Sequence, residues 1–198
     1  MRQQNKVTGV VLAGGLARRM QQQDKGLVLY RRRSMVEYAL AAMSAVADHV
    51  LINANRNLER YQSFGYPVIS DHNDQFDGPL AGVLAAITTA STEILLVMPC
   101  DSPLVQPMHL QKLLDALADN EAEVAVAFDG ERLHPVFLAL KTDLKESLER
   151  YLASGQRKID RWLLQHQWVR VDFSREPDVF FNINTLDELQ QLQDERHE

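Results

Sequence analysis

The chain of 198 residues carries 21 Lys and Arg against 27 Asp and Glu, a formal charge of −6, so its surface as a whole repels nucleic acid and anionic membrane, and a polyanionic ligand needs a local basic cluster. With 45% hydrophobic residues it can bury one substantial core, and its length suits a single domain over 1–198. A single cysteine, Cys100, excludes an internal disulfide, and the lack of a signal-peptide pattern or an apolar run of about 18 residues predicts a cytoplasmic protein.

The first apolar run, 7–12, has strand length and breaks into Leu12-Ala13-Gly14-Gly15. Paired glycines after a strand let backbone N–H groups approach a phosphate chain, and the Arg18-Arg19 and Asp24-Lys25-Gly26 stretches supply cations just downstream. The spacing is not a dinucleotide fingerprint, because the glycines adjoin and the next is Gly26. Nor is it a Walker A loop, because Lys25 lies between Asp24 and Gly26 rather than ahead of a Ser or Thr. In this position Lys25 acts as a point charge on a polyphosphate, and Arg19 offers a fork that grips phosphate through two hydrogen bonds.

The run Arg31-Arg32-Arg33 reads as a solvated turn before a helix over 34–46, which opens with Ser34 and Glu37 at capping-box spacing. Strands follow at 50–53 and 67–70, ending in Asn53 and just before Asp71. Gly78-Pro79-Leu80-Ala81-Gly82 opens a helix over 79–89 whose free N–H groups are ready to receive an anion. Glycine at 82, inside that helix, costs about 1 kcal/mol relative to alanine, which close approach of a ligand or of neighbouring backbone would explain; substrate contact is the favoured explanation.

A strand over 94–98 leads through Pro99-Cys100 to Asp101, delivering a carboxylate to the strand's carboxyl end. Magnesium takes one or two carboxylates and completes its shell with water and phosphate oxygens, so Asp101 suffices as the protein ligand for Mg2+. Beyond it the pattern predicts a helix over 107–118, a polar turn at 119–123, and strands at 124–128 and 136–140 joined through Asp129-Gly130, near the far edge of the sheet. Helices over 143–152 and 159–165, a strand over 169–173 and a final helix opened by Thr185 and Glu188 complete the chain. In the extended segment before that helix, Asn182 and Asn184 project to the same side. Cys100 has no predicted base beside it, so no acyl-transfer machinery is present.

Strands covered on both faces, alternating with helices, make an α/β fold: three layers, Rossmann-like, with a mostly parallel sheet and helices on both faces. Ligands in such sheets bind beyond the carboxyl ends of the strands, where Gly14, Asn53, Asp71 and Asp101 converge.

The motifs Leu12 to Gly15, Arg19-Met20, Asp24-Lys25-Gly26, Gly78 to Gly82, Pro99-Cys100-Asp101, His134-Pro135 and Asn182-Ile183-Asn184-Thr185 together resemble the signature of nucleotidyltransferases of GT-A-like fold, and most closely the molybdenum cofactor guanylyltransferases, often called MobA. The resemblance implies GMP transfer from GTP to the terminal phosphate of molybdenum-molybdopterin, with pyrophosphate released. It implies GTP contacts at Leu12, Ala13, Gly14, Gly15, Lys25, Asn53, Asp71 and Asp101, the last also holding Mg2+, and catalytic roles for Lys25, Arg19 and Asp101. It further implies pterin-side contacts at Gly78, Gly82, Arg157, Lys158, Asn182 and Asn184, and transient contacts with cofactor insertion proteins or apo-molybdoenzymes. One departure is Gln21-Gln22-Gln23, where the family usually has glycines. Two rivals stay open: a cytidylyl- or sugar-phosphate nucleotidyltransferase of the same fold, and a module that binds nucleotide without turnover.

Overall fold

The computed structural model describes residues 6–13, 24–71, 78–183 and 188. Seven strands form the main sheet: β1 (Val7–Leu12), β4 (His49–Asn53), β5 (Val68–Ile69), β6 (Ile94–Pro99), β7 (Val124–Phe128), β8 (Leu133–Lys141) and β9 (Trp168–Asp172). The two shorter strands β2 (Leu29–Tyr30) and β3 (Arg33–Ser34) make a separate antiparallel hairpin whose turn is the exposed Arg31-Arg32, as expected of a solvated basic run. The main order is β5-β4-β1-β6-β8-β7-β9. Neighbours run parallel except at β6–β8 and β8–β7.

Helices α1 (Met35–Ser44) and α4 (Pro107–Asp119) cover one face, and α3 (Pro79–Thr89), α5 (Lys145–Ala153) and α6 (Ile159–Leu163) the other. The alternation of strand side chains dictates this division: Val11, Ile52, Leu96 and Met98 pack with α1 and α4, while Val10, Leu51, Leu95 and Val97 pack with α3 and α5. Both sets are apolar because both faces are buried, which is why these strands read as continuous Val/Ile/Leu runs. Three layers with a mostly parallel sheet are therefore the observed architecture. No helix among the described residues is long and apolar enough to cross a membrane.

Local signals located several elements closely. Helix α3 spans the residues its proline start predicted, and α1 begins after Ser34, whose N–H donates to the Glu37 carboxylate at 2.7 Å. The strand expected over 67–70 shortens to Val68–Ile69. The strand expected over 136–140 begins earlier, at Leu133, and lies inside the sheet between β6 and β7 rather than near its edge, which β9 occupies. The predicted final helix lies outside the described residues apart from Glu188, which is helical.

The β7–β8 link is stiffened by Asp129. One of its oxygens accepts the backbone N–H groups of Arg132 (2.7 Å) and Glu131 (2.8 Å), and the other lies 2.6 Å from His134 Nε2. The Arg132 N–H chiefly, with His134 and Glu131, holds the Asp129 carboxyl well below the usual carboxylate range. Because the folded value is depressed, its stabilisation is present above the unfolded value of about 3.9 and fades as pH falls below it. The urea midpoint is expected to drop on acidification below about pH 4, and Asp129→Asn to flatten that drop; an unchanged acid slope in the variant would contradict the assignment.

Candidate active site

Strand register brings the predicted residues to one edge. Leu12 pairs with Asn53 on one side and Pro99 on the other, and Asn53 pairs with Ile69. Past the ladder, Ala13 N–H donates to Asn53 O at 2.8 Å and Cys100 N–H to Leu12 O at 3.1 Å. The exits of β1, β4, β5 and β6 therefore open side by side, as the topological rule requires.

Lys25 heads a short 3-10 turn, Lys25–Leu27, and its ammonium lies 3.0 Å from Asp101 Oδ2. These groups are 76 positions apart in sequence. The second oxygen, Asp101 Oδ1, is buried and has no hydrogen-bond partner among the described residues. A buried anionic oxygen with nothing to accept from is costly unless a cation or donor joins it. Its chemistry fits a hard divalent cation, and among the described residues no group of three or more His, Cys, Asp or Glu forms a closed cage. Such a cation would draw its remaining ligands from water and phosphate, the usual habit of magnesium.

The Asp101 carbonyl accepts the N–H of Ile183 at 3.0 Å, and the neighbouring Ser102 hydroxyl bonds Asn182 Oδ1 at 2.5 Å. Asn182 is thus brought beside the Asp101 strand exit. Asn184, like Gly14, Gly15, Arg18, Arg19 and Gln21-Gln22-Gln23, lies outside the described residues.

On the other flank, Asn53 and Asp71 meet: Asn53 Nδ2 donates to Asp71 Oδ1 at 2.9 Å. Gly82 lies directly against Asn53. A Cβ at 82 would sit 2.4 Å from Asn53 Oδ1 and 2.9 Å from Leu12 Cδ2, so the close approach that excuses this buried helical glycine is to the Asn53 amide and not, as the sequence favoured, to substrate. Gly82→Ala would push that amide and Leu12 aside. We expect it to lower thermal stability by about 1–3 kcal/mol and to weaken nucleotide binding; a variant that melts and binds like the wild type would contradict the crowding. Gly78 is the N-cap of α3, at φ 74, a left-handed conformation that glycine adopts without strain.

The MobA-like NTP transferase domain model matches residues 9–171. The chain belongs to this family. It is 45% identical over 187 residues to the molybdenum cofactor guanylyltransferase of Shewanella pealeana, covering 94% of each. It is 44% identical to that of Shewanella loihica, covering 94% of this chain and 95% of that one. Among solved structures, molybdopterin-guanine dinucleotide biosynthesis protein A from Archaeoglobus fulgidus superposes with a TM-score of 0.79 at 23% identity, over 94% of this chain and 97% of that one; that likeness concerns the fold.

Within this MobA-like domain, Arg157 donates to the carbonyls of Leu152 (2.8 Å) and Gln156 (2.7 Å), tying the carbonyl end of α5. Lys158 is the exposed N-cap of α6, and its carbonyl accepts the Tyr151 hydroxyl at 2.7 Å. His134 stacks on Phe180, centroids 4.7 Å apart, beneath the turn that leads into Asn182. Cys100 is buried, and burial pushes its thiol up, which removes it as a nucleophile.

Sequence reasoning missed a second row of residues. Helix α2 (Leu58–Gln62) is a five-residue element preceded by Asn57 at φ 51, too short for periodicity to reveal. Its Tyr61 is fully buried and donates to Asp24 Oδ1 at 2.5 Å. The visible signal was the alternation Asn53, Asn55, Asn57 after a strand.

Proposed function

We propose that the chain transfers GMP from GTP to the terminal phosphate of molybdenum-molybdopterin, forming the guanine dinucleotide of the cofactor and releasing pyrophosphate. The observation that carries this reading is the Lys25–Asp101 pair at 3.0 Å with the second carboxylate oxygen buried and without a hydrogen-bond partner among the described residues. It sets one cation for a polyphosphate and one anionic ligand for a divalent ion at the joint exit of β1 and β6. The guanylyltransferase name of relatives at 45% identity over 94% of the chain supports guanine as the donor base and the pterin phosphate as acceptor.

In this reading Lys25 neutralises the triphosphate, assisted by Arg19 and the amides of Gly14 and Gly15, so that two polyanions can approach. Asp101 would hold Mg2+, and the bound ion would supply polarisation of phosphate oxygens and offset their developing charge. Leu12, Ala13, Asn53 and Asp71 hold the nucleoside. Gly78 and Asn182, the last braced by Ser102, line the acceptor side with Asn184, Arg157 and Lys158, while Gly82 gives its space to the Asn53 amide on the nucleoside side. The acceptor phosphate, with a second pKa of about 6, is largely ionised at neutral pH and needs no protein base. Its oxygen bonds to the α-phosphorus as the bond from that phosphorus to the bridging oxygen breaks, and pyrophosphate leaves with the electron pair. The whole chain acts as one nucleotidyltransferase domain in the cytoplasm, and its transient partners are the insertion proteins or apo-molybdoenzymes that receive the dinucleotide.

The test supplies GTP, magnesium and molybdenum-molybdopterin and follows pyrophosphate and the dinucleotide, with CTP as the competing donor. Equal or greater turnover with CTP would overturn the donor assignment. Tight GTP binding without pyrophosphate release would overturn catalysis.

A further inference from the structure

The connector from β4 to α2 reads Asn53-Ala54-Asn55-Arg56-Asn57, and all three asparagine amides donate to carboxylates of the surrounding loops. Asn53 Nδ2 reaches Asp71 Oδ1 at 2.9 Å, and Asn55 Nδ2 reaches Asp71 Oδ2 at 2.8 Å. Asn55 Oδ1 also accepts the Asp71 N–H at 2.9 Å, so Asn55 grips both the backbone and the side chain of that residue. Asn57 Nδ2 turns to a different loop and donates to Asp24 Oδ2 at 3.0 Å.

Asp24 is fixed from the same element. Its Oδ1 accepts the buried Tyr61 hydroxyl at 2.5 Å and the N–H of Gly26 at 3.2 Å. It is the N-cap of the 3-10 turn that begins at Lys25. Burial first, with Asp24 contributing, pushes the Tyr61 phenol far up, so it remains a donor at any working pH. Hydrogen bonds to a carboxylate are about twice as strong as neutral ones. Five such contacts therefore converge on two loop carboxylates that belong to no sheet ladder.

Fixing these carboxylates matters electrostatically. Asp24 precedes the lysine assigned to the polyphosphate, and an unrestrained carboxylate there would compete with phosphate for that cation. Engaged by Tyr61, Asn57 and Gly26, it is turned to its own turn and the hydroxyl behind it. Asp71, with each oxygen accepting one amide, keeps lone pairs for a ligand donor. Groups ordered before binding spare the ligand the entropy of ordering them.

We propose that this connector is a clamp setting the two halves of the nucleotide site, Asn55 positioning Asp71 on the nucleoside side and Tyr61, with Asn57, positioning Asp24 and hence Lys25 on the polyphosphate side. The inference rests on the GTP-binding reading above. Asn55, Asn57 and Tyr61 are positioning residues, each acting through a carboxylate.

The test displaces a fluorescent GTP analogue with guanosine and with inorganic triphosphate, on the wild type, Asn55→Ala and Tyr61→Phe. Asn55→Ala is expected to weaken guanosine by about tenfold or more and leave triphosphate unchanged, the scale of a lost hydrogen bond to a charged group. Tyr61→Phe is expected to do the reverse. Should Tyr61→Phe fail to fold, Asn57→Gly reads the same carboxylate, because glycine accepts φ 51 at that position; a loss confined to triphosphate, of about two- to fivefold for an exposed contact, is expected. A general loosening of structure would weaken both ligands together, and that outcome, or no change in either, overturns the clamp while the GTP reading stands. A wild type that binds neither GTP nor triphosphate overturns the reading and the clamp with it.

Discussion

Asp101→Ala is expected to lower GMP transfer by about a thousandfold while leaving the melting temperature unchanged or slightly raised. The rate effect follows from the proposed role of Asp101 as the protein ligand to magnesium. Several kcal/mol of charge stabilisation depends on it, and about 4 kcal/mol corresponds to roughly a thousandfold in rate. The stability effect has the opposite sign because Oδ1 is buried without a hydrogen-bond partner among the described residues. Removing a buried unsatisfied acceptor relieves a penalty of about 1–3 kcal/mol, which offsets the lost ion pair with a lysine that is still 20% exposed. Pyrophosphate release and thermal melts on the same preparations check both halves. Near-normal magnesium-dependent turnover would remove the ligand assignment, and a large fall in melting temperature would show that the carboxylate is structural.

Lys25→Ala is expected to weaken GTP binding by about thirtyfold, some 2 kcal/mol, the worth of a charge-assisted contact to phosphate. Guanosine affinity is expected to change little. Its effect on stability differs in sign from that of Asp101→Ala although the same ion pair is cut. Deleting the lysine leaves a carboxylate only 11% exposed with neither oxygen paired among the described residues, and stranding a buried charge is the destabilising way to break a pair. A loss of about 1–2 kcal/mol is expected, less than for a fully buried pair because solvent reaches the lysine. Titration calorimetry with GTP and guanosine, alongside denaturant unfolding, measures both. An unaltered GTP affinity would show that Lys25 serves only to neutralise Asp101.

Where signals are local, the chain announces its own structure. Val7–Leu12 is a strand because an uninterrupted apolar run suits a sheet buried on both sides, and Pro79–Thr89 is a helix because proline is tolerated only in the first turn. Helix α2 escaped because five residues carry no readable period. The place of β8 between β6 and β7 escaped because strand order depends on partners distant in the chain.

The site divides along the same line. Composition, alternation of elements and the glycine, lysine and aspartate motifs determine by themselves an α/β nucleotide-handling chain with Gly14, Asn53, Asp71 and Asp101 at one sheet edge, because each follows or ends a strand whose direction the alternation dictates. Only the tertiary structure decides that Lys25 meets Asp101, that Gly82 yields its space to Asn53, and that Asn55 and Tyr61 brace the two loops. Those contacts join residues tens of positions apart, and their distances depend on register and helix docking, quantities that no local pattern encodes.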